Sequence, residues 1–171
     1  MTQGGRNMDF TVPVLWVHLT AIVTWVGLWF NTVFVFGALR QYAAEATRGN
    51  FIEAYRKRYL TITWASIAVF IVTGIILMET NENYPGLAHF FSNTWSTLVT
   101  LKHVIVILML IISFTLLYSI LPKLRAAIGA KDEATVTRLM QREKFAVATL
   151  AILGWAILLI IVTVAELPAP V

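Results

Sequence analysis

Four apolar runs, each long enough to cross a bilayer, hold one charged residue between them, and that pattern leaves this chain few folds. The runs cover about 11–38, 59–78, 95–121 and 145–165. Each spans a hydrocarbon core of ~30 Å at ~1.5 Å per residue, and the first and third have residues to spare for tilt. Backbone groups in lipid must satisfy one another, and no run alternates as a strand would, so the expected structure is an all-α integral membrane bundle of four transmembrane helices forming a single membrane domain. Of the 22 Asp, Glu, Lys and Arg residues only Lys102 lies within these limits. The composition agrees: 58% hydrophobic and 13% charged residues exclude an ordinary soluble enzyme domain, which runs near about 45–50% and 25%. Proline marks the ends. Pro13 suits a first helical turn, Pro85 a loop, Pro122 is expected to stop the third helix, and Pro168 and Pro170 follow the fourth. The first run is too long for a cleaved signal peptide and lacks a small-residue cleavage site, so it is expected to be retained.

Direction follows from the basic residues. Stretch 39–58 carries Arg40, Arg48, Arg56, Lys57 and Arg58, and stretch 122–144 carries Lys123, Arg125, Lys131, Arg138, Arg142 and Lys144, whereas 79–94 has only Glu79 and Glu82. The positive-inside rule then places both basic loops in the cytoplasm, and both termini outside the cell (inner) membrane. The net charge of +4 is thus divided between two loops and forms no single basic face, which argues against nucleic-acid binding. Apolar residues recur in both loops, at Tyr42, Phe51, Ile52 and Tyr55 and at Leu124, Ile128, Val136 and Leu139, as in helical extensions lying near the headgroups. A faint repeat relates the halves. His18 and His103 are 85 residues apart, and Arg56-Lys57-Arg58-Tyr59 before the second run is echoed by Arg142-Glu143-Lys144-Phe145 before the fourth.

The chain has no cysteine, so disulfides, covalent haem attachment through CxxCH, iron–sulfur clusters and thiolate metal sites are excluded. Metal chemistry must use His, Met or carboxylates. His89 reads as a solvated loop residue. His18 and His103 sit seven and eight residues into the first and third runs, at matching depth about 10 Å below the outer helix ends. An imidazole in hydrocarbon needs a hydrogen-bond partner or a metal. A bond across a helix interface satisfies it, and so does bis-His ligation of a b-type haem, with Trp25, Ala21 and Ile22 on one helix and Ile107, Leu110 and Phe114 on the other as walls. Lys102 either snorkels to the headgroups or meets a haem propionate, and Glu166 ends the fourth helix where it can pair with Lys102. Copper is the competing occupant: two His with Met78 and Met109 suit it, although no Met-x-x-Met or His-x-His cluster occurs.

His18, the following Trp25-Val26-Gly27, the basic entry to the second helix and Leu101-Lys102-His103 make the chain resemble the CopD-like membrane proteins. It is also similar to their relative HemJ, the membrane protoporphyrinogen oxidase, from about 14 to 164. The resemblance implies a bundle of four or more helices with a first-helix His near a Trp-x-Gly. In HemJ-like proteins haem b is held through that His, and a further His stands late in the third helix, where this chain has Ser113, Phe114 and Thr115. CopD implies copper uptake or resistance. The reading is a haem b-binding, cytochrome b-like protein that transfers electrons as a subunit or partner of a membrane redox complex, since a bis-His iron has no open position. His18 and His103 would ligate the metal, Trp25, Ile107 and Phe114 would pack on the macrocycle, and Lys102 would meet a propionate. The sequence names no catalytic residue; an electron-transfer subunit is expected over a stand-alone enzyme. The alternatives are a protoporphyrinogen IX oxidase, a copper transport or resistance protein, and an anchoring subunit. Expected partners are membrane lipid and either other redox subunits or a second copy of the chain, with no GxxxG face in any span.

Overall fold

The computed structural model describes residues 5–36, 45–81 and 91–166. Helix α1 covers Gly5–Asn31 and runs into a π-helical turn at Thr32–Phe36; α2 covers Glu45–Glu79; α3 covers Thr94–Thr115 and passes through a second π turn, Leu116–Ile120, into α4, Leu121–Gly129; α5 covers Glu133–Ala165. No strand occurs among the described residues. Among the described residues, four stretches are long and apolar enough to cross a membrane, Phe10–Phe34, Gly49–Glu79, Thr94–Gly129 and Glu133–Ala165, and the chain is an all-α integral membrane protein.

The helices outrun their apolar runs. The second begins at Glu45 and the fourth at Glu133, so much of both basic stretches is continuous with the spanning helices. Asp132 caps α5, its Oδ1 accepting the Thr135 N–H at 3.0 Å, and Asn93 starts α3 through a capping box with Ser96. Two proline expectations are corrected. Pro13 is interior to α1 because that helix starts at Gly5. Pro122 does not stop the third helix: it sits in the first turn of α4, directly after the π turn. A proline needs no amide partner and crowds the carbonyl four residues back, and both demands are relaxed where the helix has just widened. Pro85, His89, Arg40, Tyr42, Pro168 and Pro170 lie outside the described residues.

α1 packs on α2 and α5, and α3 packs on α5. The α1–α5 contact is close enough that a Cβ on Gly154 would come within 2.7 Å of Val26 Cγ1. Trp29, Leu116, Leu117, Leu124 and Leu150 are fully buried and fill the bundle toward the basic residues. At that end Glu53 holds Arg56 at 2.7 Å and Arg125 of α4 at 3.5 Å. Beside the first π turn, buried Thr32 Oγ1 donates toward the Leu28 carbonyl at 2.8 Å and lies 2.9 Å from both the Tyr55 and Tyr59 hydroxyls, while Tyr59 donates to the same carbonyl at 3.0 Å. In a medium without water, such a cluster satisfies polar groups that would otherwise oppose burial.

Candidate metal-binding cavity

At the end of the bundle away from the basic residues, α1 and α3 are held apart by a cavity of about 770 Å³. The sequence builds its walls by helical spacing. Leu15, His18, Ile22 and Trp25 recur along one face of α1, and Val99, His103, Val106 and Leu110 along one face of α3, each step being three or four residues. α2 adds Phe70, Gly74 and Met78, and α5 adds Ile157 and Ile161. Val12, Leu15, Ile71, Ile75 and Ile107 line the cavity and are largely exposed, so its mouth is mainly apolar, with Thr80 and Asn81 also exposed in the lining. Its size falls in the range of small-molecule and cofactor pockets.

Five of the six residues singled out in the sequence, His18, Trp25, Lys102, His103 and Ile107, line this one cavity. Phe114 does not. It packs against Trp64 and Tyr118, with ring centroids 5.1 and 5.8 Å away. Phe114 is in register with the His103 face but lies beyond the cavity, since the α3 wall ends at Leu110, one turn above it. Met78 lines the cavity, whereas Met109 is fully buried and is absent from the lining. Lys102 and Glu166 do not pair. Lys102 is half-buried in the wall, with no hydrogen bond or ion pair among the described residues.

The hydrogen bonds fix the tautomers of the two imidazoles. His103 Nδ1 lies 2.6 Å from the Val99 carbonyl, which can only accept, so Nδ1 carries the proton. His18 Nδ1 lies 2.8 Å from Thr73 Oγ1. That hydroxyl donates its proton to the Val69 carbonyl at 2.7 Å and therefore accepts from His18. Both rings are left with a lone pair on Nε2. Gly74 leaves room for the His18 ring, because a Cβ there would stand 3.2 Å from His18 Cε1, closer than ordinary contact. A ligating histidine whose second nitrogen donates to a carbonyl or hydroxyl is the usual geometry of metal sites. Thr73 and Gly74 escaped the sequence reading; the only signal was a Thr-Gly pair inside an otherwise aliphatic run. No group of three or more His, Cys, Asp or Glu residues gathers among the described residues, so any metal here depends on the two imidazoles and the neighbouring thioether.

The fold and cavity define a membrane-embedded helical bundle with a paired-imidazole pocket. The sequence model of a family described as copper resistance protein D matches residues 53–167, and the chain belongs to that family. No curated protein and no solved structure matches it. The match covers Thr73, Gly74, Met78, Lys102 and His103, and it leaves out α1 with His18 and Trp25.

Proposed function

We propose that this protein handles copper within the membrane, as a transport or resistance protein, holding the ion between Nε2 of His18 and Nε2 of His103. The observation that carries the reading is the pair of Nδ1 bonds, to Thr73 and to Val99, which leaves both lone pairs available on one cavity. Met78 lines the same space and supplies a thioether, and imidazole with thioether is a donor set that copper accepts without thiolate. Membership of a copper resistance family supports the same cargo. The basic end is assigned to the cytoplasm and the cavity to the outer half of the cell membrane, on the charge asymmetry of the loops. The test is copper(I) titration of the detergent-purified protein: the native chain is expected to bind copper, and His18→Ala and His103→Ala each to lose it. Unchanged binding in either variant rejects the site.

A second reading is favoured by the cavity volume. About 770 Å³ with mostly aliphatic and aromatic walls exceeds what a lone ion needs and suits a haem b held by the same two nitrogens, which would pass electrons and bind nothing further at iron. In this reading Trp25 and Ile107 line the macrocycle's space and Lys102 faces a propionate. A reduced-minus-oxidised spectrum with metal analysis of the same sample separates the readings.

A further inference from the structure

The charge of the cavity runs against a bare cation. Among the described residues, Lys102 contributes the one formal charge in its lining, and no Asp or Glu lines it. Its ammonium is half-buried at membrane depth with no hydrogen bond or ion pair among the described residues. A half-buried charge without a counter-charge is costly where water is scarce. The imidazoles offer lone pairs to a metal, but the one charged side chain in the described lining calls for a negative partner. Metal and ammonium would repel each other across a medium that screens poorly.

We propose that the cavity takes copper together with an anion, a halide or small carboxylate, so that the metal enters an apolar space as an electroneutral pair whose anion lies on the Lys102 side and separates the two positive charges. This rests on the copper reading and names the form in which copper is accepted. Lys102 is then part of the binding site, and the mainly apolar mouth formed by residues such as Leu15 and Ile107 admits a neutral species more readily than an ion.

The experiment compares the native protein with Lys102→Leu, which brings no metal donor, by copper(I) titration against a competing chelator, in chloride and in perchlorate at equal ionic strength. Copper's solution chemistry with chloride is common to both proteins, so only their ratio is read. In chloride the native protein is expected to bind about tenfold more tightly than K102L; in perchlorate the order is expected to reverse, because removing the ammonium then removes only repulsion. Equal affinities in both buffers, or K102L tighter in both, overturn the proposal and leave the copper site standing. No copper bound by the native protein in either buffer overturns the copper reading and this inference with it. Haem in place of copper, weakened by K102L in both buffers alike, assigns the negative charge to the haem's own carboxylates and likewise overturns the proposal. If K102L fails to fold, Lys102→Gln carries the same comparison.

Discussion

His18 gives its Nδ1 proton to Thr73 on the neighbouring helix, across 2.8 Å, because the Thr73 hydroxyl has already committed its own proton to Val69. One hydroxyl on α2 thus sets which nitrogen of an α1 histidine keeps its lone pair. Thr73→Val keeps the shape and removes the acceptor, and metal affinity is expected to fall about 10–100-fold, as when the hydrogen-bond partner of a metal ligand is lost. Thr73→Ser should restore most of it. A copper titration on the two variants checks this; equal loss in both would point to packing and not to the tautomer.

The two histidines are expected to act as a pair. If they share one ion, His18→Ala and His103→Ala should each abolish it, and the double variant should be no worse than either single one, because a broken two-coordinate site has little left to lose. His89→Ala, outside the described residues, should change nothing. Metal content after purification and dialysis reads all four proteins.

Gly154 and Gly27 offer a matched contrast. A Cβ at Gly154 meets Val26 at 2.7 Å, whereas one at Gly27 meets nothing within 4 Å. Gly154→Ala is expected to cost about 1–3 kcal/mol through overpacking of α1 against α5. Gly27→Ala should be neutral or stabilising by up to about 1 kcal/mol from helix propensity. Thermal unfolding in a mild detergent should rank them in that order.

Asp132 supplies a pH dependence outside the membrane-spanning helices' apolar parts. Hydrogen bonds from Thr135, by its side chain and its backbone N–H, hold the Asp132 carboxyl below its ordinary value. A carboxylate whose pKa is lower in the folded than in the unfolded chain stabilises the fold above its ordinary value, and the contribution is lost as pH falls through the lowered one. Asp132→Ala should therefore lower the melting temperature at neutral pH and flatten its decline in acid, while Asp132→Asn, which still caps, should lower it less. Melting curves from pH 7 to strongly acidic buffer test the sign.

Hydropathy made the four spans legible, because lipid leaves a backbone no alternative to helix, and His18, Trp25, Lys102, His103 and Ile107 could be brought to one cavity by counting residues from the helix ends. Counting failed at Phe114, whose direction from His103 is right to within about 20° but which lies some 16 Å deeper, below the last cavity residue of α3. Periodicity reports angle well and says little about where a cavity stops. Thr73 and Gly74 were illegible for another reason: their part in the site is a contact with a side chain 55 residues away, and nothing local marks it. Pro122 misled because its stopping power presumes an α-helical turn before it, and the turn before it is π.

Those π turns have a consequence for length. The first begins 14 residues after His18 and the second 13 after His103, so each histidine-bearing helix carries one at nearly the same distance. A π turn lets a helix hold one residue more while the segments on either side keep their bearings. Each of these helices therefore has one place where its length can change by a single residue without swinging its imidazole off the cavity, whereas the same deletion anywhere between histidine and π turn would rotate the two faces apart by about 100°. The histidines are held in phase with the rest of the bundle, and the slack for insertion and deletion is confined to the opposite end.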